Sequence, residues 1–369
     1  MNHSSSPIRF WVMVGVVVCA LFGLAALTIF VGAALLGPAD TAEKPFVEYT
    51  LPDEYRAQAV GFTPDGKDVA VLTLKGGGSP AEEYRLVFWD AKTNAQVRSV
   101  ALPPPVSRFA FFAGGRKLAT TRKIALGFNV FGGENWEFES AVAAAPTDPP
   151  AGPGRASPDI WYDGSRLWDL ETRKAILFPA ERVRTDNGTR LPVSAVAASP
   201  SGAQYAVAFS APRIDLYDTA TAATAATLGA DDGIFHSVLY SPDGRFVAAG
   251  HLSSRNESRV YIWDAVSHQL LHKCDGCGLY VPELAFTPDS KYVLTFTRKI
   301  DQNERISIGH VTVWAVETGK LVEKFNVGDC SGVRFALSPD GSTLVTVGDN
   351  GKVRKWDFAA IRKEFEAKK

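Results

Sequence analysis

Cysteine and histidine are scarce in this chain. Among 369 residues there are four cysteines, Cys19, Cys274, Cys277 and Cys330, and six histidines. Four cysteines are too few for a disulfide-built scaffold, so the fold has to rest on a hydrophobic core. A surplus of one charge sign is also missing: 39 Lys+Arg stand against 40 Asp+Glu, a formal net charge of -1. That balance gives no general attraction to phosphate backbones or anionic lipid, and nucleic acid is not an expected partner. The signature turns of catalysis are absent as well: no nucleophile elbow, P-loop, zincin motif or dinucleotide fingerprint occurs. The glycine run 76–78 lacks the lysine that follows in a phosphate loop. No catalytic, cofactor-binding or metal-binding residue is therefore expected, and the chain does not read as an enzyme. What is plentiful is apolar material, 46% of the residues, enough for a large core.

Charge is missing altogether from residues 10–36, a run of 27 residues. As a helix it would span roughly 40 Å, more than the roughly 30 Å hydrocarbon core of a bilayer, so a tilted transmembrane helix is expected. A cleaved leader is the competing reading. Its apolar region should be only about 7–15 residues, but the small residues Gly37, Pro38 and Ala39 leave that reading open. Arg9 and the α-amino group precede the run, whereas Asp40 and Glu43 follow it. The distribution of positive charge puts residues 1–9 in the cytoplasm and everything after the helix on the outer, periplasmic or extracellular side. A linker, 37–45, then leads to the rest of the chain.

That remainder is organised by two recurring motifs. The first is a turn: FTPDG (62–66), SPSG (199–202), SPDG (241–244), TPDS (287–290) and SPDG (338–341). Proline presets φ, Asp bonds its own backbone and Gly accepts a positive φ, so each is a hairpin turn between β-rich stretches. The second is an aromatic strand ending: FWD (88–90), LWD (167–169), LYD (216–218), IWD (262–264), VWA (313–315) and KWD (355–357). Together these resemble the WD-repeat family over about residues 46–360. The resemblance implies an all-β fold, a β-propeller in which each repeat supplies one four-stranded blade. It also implies structural roles for Trp89, Trp168, Trp263, Trp314 and Trp356, and for His236, which stands where the family often keeps a histidine in a buried hydrogen-bond network.

Spacing counts the blades. The turn prolines fall at 64, 200, 242, 288 and 339, and FFAGG (111–115) imitates the turn with Ala113 in the proline's place. One interval is then about two repeats long. A hidden ending at Trp136 and a hidden turn at Ser157-Pro158-Asp159 divide it. Seven blades are favoured, two of them eroded and separated by a Pro/Ala/Gly-rich loop at 141–156. Six blades with a long insertion is the alternative. FVEYTL (46–51) alternates and could add the outer strand of the last blade, closing the ring and removing its open edge. The competing reading gives that strand to FAAIRKEF (358–365), with 46–51 as linker. Residues 361–369 read as a charged tail.

Candidate contact residues come from aligning the innermost strands on their turns. Five positions before the turn proline stand Ala59, Arg108, Ala195, Ser237, Glu283 and Arg334. Arg108, Glu283 and Arg334 form a charged set at one end of the strands, either an ordinary solvated rim or a patch where protein partners dock. Cys274 and Cys277 suit a disulfide on an oxidising side of the membrane, with free thiols or a zinc site including Cys330 as the other readings. The function expected is a membrane-anchored interaction scaffold for protein partners. The alternatives are a propeller enzyme of quinoprotein or lactonase type, with a cofactor or metal in the central channel, and an envelope structural propeller similar to the periplasmic protein of the Tol system.

Overall fold

The computed structural model describes residues 30–31, 44–51, 55–76, 83–102, 106–112, 117–122, 128–132, 137–142, 160–162, 167–169, 174–176, 188, 191–255, 257–276, 281, 283–301, 306–329, 333–348 and 350–368. Short strands separated by tight turns account for nearly all of it. Two strands come first, β1 (Phe30–Val31) and β2 (Phe46–Thr50). The first blade is β3 (Tyr55–Phe62), β4 (Asp68–Lys75), β5 (Glu83–Asp90) and β6 (Gln96–Leu102). The second is β7 (Val106–Phe112), β8 (Lys117–Arg122), β9 (Phe128–Gly132) and β10 (Glu137–Val142). The third has three described strands, β11 (Ile160–Tyr162), β12 (Leu167–Asp169) and β13 (Lys174–Ile176). The fourth is β14 (Val193–Ala198), β15 (Gln204–Phe209), β16 (Arg213–Asp218) and β17 (Thr224–Gly229). The fifth is β18 (Ile234–Tyr240), β19 (Phe246–Leu252), β20 (Ser258–Asp264) and β21 (Leu270–Asp275). The sixth is β22 (Leu284–Phe286), β23 (Tyr292–Asp301), β24 (Ile306–Ala315) and β25 (Leu321–Asp329). The last is β26 (Val333–Leu337), β27 (Thr343–Gly348) and β28 (Lys352–Asp357), followed by the helix α1 (Phe358–Glu366).

Each blade is an antiparallel meander, and the described strands make seven sheets, five of them four-stranded. The stretches 106–142 and 160–176 each form a sheet of their own. The last sheet has the order β1-β2-β28-β27-β26. It is built from both ends of the chain, because β2 pairs with β28 from Phe46 opposite Trp356 to Thr50 opposite Lys352. FVEYTL therefore supplies the outer strand, and FAAIRKEF is a helix instead. The innermost strands of the last and first blades, β26 and β3, lie against each other, as do β14 and β18. Apolar residues of facing blades fill the gaps between them, as where Leu216 and Leu228 meet Phe235, Val247 and Tyr261.

Two turns explain why these sequences form hairpins. In the first, the Ser or Thr before proline holds both ends of the loop. The Ser241 hydroxyl donates to Asp243 at 2.6 Å and accepts from the Phe246 amide at 2.9 Å, and Thr63 and Thr287 repeat the arrangement. The fourth residue takes a positive φ, 71° at Gly341, where a Cβ would come within 2.9 Å of Pro288. Ser290 adopts φ 60° at the same place, and its hydroxyl accepts from the Asp243 amide of the neighbouring blade at 3.1 Å. In the second turn, the Asp of the Trp-Asp ending accepts the amides two and three residues on. Asp264 takes Val266 at 3.0 Å and Ser267 at 2.7 Å, and Asp90 takes Lys92 and Thr93 likewise. At Asp357 the carboxylate instead caps α1, accepting the Ala360 amide at 2.9 Å.

Two expectations differ from this picture. The expected helix over 10–36 is departed from at Phe30 and Val31, which lie in β1 and pair with Glu48 and Val47. The exposed flank of β2 offers unpaired amides and carbonyls, and an extended Phe-Val pair satisfies them. The rest of that run lies outside the described residues, and no helix among the described residues is long and apolar enough to cross a membrane. The expected charged tail at 361–369 is largely α1, with Phe358, Ile361 and Phe365 buried against Tyr292, Phe325 and Trp356 of the last two blades. Apolar residues at this spacing share one helix face, which the intervening charges obscure in the sequence. Residues 141–142 of the expected loop belong to β10, and 143–156 lie outside the described residues.

Candidate functional site

The site expected at one end of the innermost strands resolves into an inter-blade clip. The Glu283 carboxylate leaves the entry to β22 and reaches the next blade. There it accepts the Phe335 amide at 3.0 Å and meets the Arg334 guanidinium at 3.2 Å. The aligned residue one blade earlier does the same job with a hydroxyl: Ser237 donates to the Val281 carbonyl at 3.2 Å. This row of positions therefore joins the fifth blade to the sixth and the sixth to the last. The sequence alignment puts Glu283 and Arg334 in one charged row; the structure joins them as an ion pair in which Glu283 is committed to holding the ring. Arg334 keeps 43% of its side chain exposed and is the group of the pair that presents charge to solvent. For Arg108 the structure describes the backbone, in β7, and the side chain lies outside the described residues.

Among the described residues, three of the strand-ending tryptophans are core residues. Trp263, Trp314 and Trp356 are nearly fully buried, while Trp89 is half-buried. Two have indole N–H donors satisfied by the neighbouring strand: Trp314 gives to Thr295 at 3.4 Å and Trp356 to Thr346 at 3.1 Å. Trp263 stacks instead on Tyr261, at 5.5 Å between ring centroids. Trp168 has its backbone in β12, with its side chain outside the described residues.

The histidine expected to be buried at the blade's heart is His236, but the fully buried one is His251, in β19. Its Nε2 lies 2.5 Å from the Asp232 carbonyl, and its ring meets Phe235 and Tyr261 edge-on. His236 sits close enough to sense it, and desolvation by burial, then the nearby His251, hold the His236 ring below its ordinary pKa. Burial likewise depresses His251. Sequence reasoning missed His251 because it aligned histidines on the turn. The available signal was its position inside the apolar strand FVAAGHL, where a polar side chain needs a partner.

Of the cysteines, Cys274 is described. It is buried in β21, packed near Ile262 and Val281, and desolvation pushes its thiol up to about 12. Cys277 and Cys330, and with them the disulfide and zinc readings, lie outside the described residues. Among the described residues no group of three or more His, Cys, Asp or Glu side chains is placed to hold a metal.

Comparison with known proteins agrees with the geometry. The family model described as "WD domain, G-beta repeat" matches residues 319–357, the stretch from the second strand-pair turn of the sixth blade to the end of β28. Protein groucho of Drosophila melanogaster is 30% identical over 133 residues, 34% of this chain and 16% of that protein. Apoptotic protease-activating factor 1 of Homo sapiens is 26% identical over 128 residues, 32% of this chain and 9% of that protein. The chain thus spans less than a fifth of the length of either. The β-propeller domain of Swd1 from Myceliophteria thermophila superposes with a TM-score of 0.60 at 15% identity, covering 84% of this chain and 99% of that one, a likeness of fold alone. The chain carries a WD-type repeat on a β-propeller fold, and the WD40 repeat family is the one these matches support.

Proposed function

We propose that this protein is a membrane-anchored, non-catalytic scaffold whose seven-bladed ring holds protein partners at the mouth formed by the ends of the innermost strands. The observation that carries the reading is the closed ring itself. Its last blade is completed by β2, so β28 is not left as an open edge and the first and last blades are tied by both ends of the chain, leaving the inter-strand loops and turns as the surface offered to partners. At the mouth, Arg334 presents a half-exposed guanidinium held in place by Glu283. A planar, pre-positioned guanidinium suits recognition of a carboxylate-bearing protein surface. Anchoring rests on the uncharged run 10–36. Twenty of its residues, 10–29, precede β1, and as a helix they would reach roughly 30 Å, the thickness of the hydrocarbon core. The charge distribution around the run favours a propeller on the outer side.

Membrane fractionation tests the anchor. Carbonate-washed membranes should retain the protein, and deleting 10–36 should release it. Recovery of a mature N-terminus near Asp40 would replace the anchor by a cleaved leader. Substitution tests the mouth. Arg334→Ala should leave the melting temperature nearly unchanged, because a half-exposed ion pair contributes only about 0–1 kcal/mol, yet weaken capture of crosslinked partners. Glu283→Ala should lower the melting temperature as well, since it leaves the Phe335 amide without its acceptor. Undiminished capture by the Arg334 variant would return the mouth to an ordinary solvated rim.

A further inference from the structure

The junction between the last and first blades breaks the repeat pattern at Lys355. In each repeat, the residue before the ending's aromatic faces the next blade. In the first, fourth, fifth and sixth blades it is Phe88, Leu216, Ile262 and Val313, each fully buried. In the last blade it is Lys355. The residue after the ending's third position faces the preceding blade. In the sixth and last blades it is Val316 and Phe358, both buried in the gap. In the first blade it is Ala91, and in the fifth it is the equally small Ala265, which faces the apolar Leu216. Among the described junctions, only here does a charge on one side meet a small residue on the other.

The result is a crevice of about 270 Å³, counting the part open to solvent, with walls that include Tyr49, Val69, Trp89, Asp90, Val353 and Lys355. Its polar groups are unbalanced. The Lys355 ammonium donates to the Ala91 carbonyl and to Asn94 Oδ1 at 2.8 Å, both uncharged acceptors. No carboxylate among the described residues forms an ion pair with it. The nearby Asp90 carboxylate is occupied by the Lys92 and Thr93 amides of its own turn. The Tyr49 hydroxyl is buried in a side chain 93% shielded from solvent, and it has no hydrogen-bond partner among the described residues. A half-buried cation whose hydrogen bonds end on uncharged acceptors, with Asp90 acting on it only through space, and a buried unpaired donor each cost stability that an incoming acceptor would recover. The rest of the wall is aliphatic or indole.

We propose that this crevice binds a compact monoanion with an apolar flank, a short aliphatic or aromatic carboxylate, whose oxygens meet Lys355 and Tyr49 and whose hydrocarbon part lies against Val69, Val353 and Trp89. The site is distinct from the mouth, which lies at the opposite end of the strands from the Trp-Asp turns. A ligand there would bridge the two ends of the chain, since Tyr49 belongs to β2 and Lys355 to β28, and its occupancy would be linked to closure of the ring.

Saturation-transfer NMR on the full chain tests this, with butyrate and benzoate as probes and butyramide and benzamide as uncharged counterparts. The carboxylates should bind, and the amides roughly tenfold or more weakly, as expected when a charge-assisted hydrogen bond is lost. Lys355→Met should abolish carboxylate binding and Tyr49→Phe should weaken it several-fold. Ala91→Val places at this position the side chain that Val316 supplies in the sixth blade, so it should fill the crevice and abolish binding with the melting temperature preserved. If Lys355→Met fails to fold, the Ala91 variant still decides. Absence of saturation transfer at millimolar carboxylate, equal binding of the amides, or binding unaltered by Ala91→Val would each overturn the proposal and leave Lys355 as a staple between blades.

Discussion

At the scale of single residues, buried polar contacts tie strands to each other within the apolar core. The Trp356 indole donates to Thr346 from a side chain that is 1% exposed. Thr346→Val keeps the shape and removes the acceptor, leaving a buried N–H unsatisfied, which should cost about 1–3 kcal/mol in denaturant unfolding. An unchanged midpoint would show that water or another group takes the N–H. His251 and His236 make stability depend on pH. Both have folded-state pKa values depressed below the ordinary 6.5, in each case first by burial. The unfolded chain then binds protons that the folded chain does not. The stabilisation is complete above about pH 6.5 and is lost progressively as pH falls below it. Melting temperature should therefore decline from pH 7 to pH 5, and His251→Gln should shallow that decline. Residue identities in the sequence gave part of this away. Trp263, Trp314 and Trp356 lie in the core at the same place in their repeats, where a large aromatic has few other uses. The charged set at the mouth read less well. Pairwise geometry, which joins Glu283 to Arg334, is not written in spacing.

Among the elements, β2 and α1 decide whether the ring stays closed. β2 buries Tyr49 and Leu51 and sets Phe46 4.7 Å from the Trp356 ring. Its Glu48 binds both Arg354, at 2.6 Å, and Lys352, at 3.2 Å. α1 covers the outer end of the last two blades, and Lys44, just before β2, reaches Glu364 on the helix at 2.7 Å and Glu323 on β25 at 3.3 Å. Removing 46–51 should lower the melting temperature sharply and promote aggregation through the bared edge of β28. Truncation after Asp357 deletes Phe358, Ile361 and Phe365, each worth about 1.5–3 kcal/mol when buried. That loss is comparable to a domain's whole 5–15 kcal/mol, so the truncated chain should be largely unfolded by circular dichroism at 37 °C. A native spectrum would mean that α1 is an accessory. The turns were legible because Pro, Asp, Gly and the Ser or Thr ahead of them each do one local job. The helix was not, because its charged residues Arg362, Lys363, Glu364 and Glu366 masked three apolar positions on one face.

For the whole molecule, the repeat spacing anticipated a propeller of four-stranded antiparallel sheets, because each blade needs about the same length of chain to run four strands. What spacing cannot express is which residues meet across a junction. The crevice beside Lys355 exists because one departure from the repeat, Lys355, faces the small Ala91, 264 residues away in the chain. The proposed function places protein partners at the mouth of a ring held in a membrane. A photo-crosslinking amino acid placed at Arg334, at the mouth, and in a second variant at the exposed Val97, on an outer strand of the first blade, measures this in native membranes. Discrete protein adducts from position 334, retained after carbonate washing and absent from position 97, are the predicted result. Adducts confined to position 97, or a protein washed free of the membrane, would contradict it.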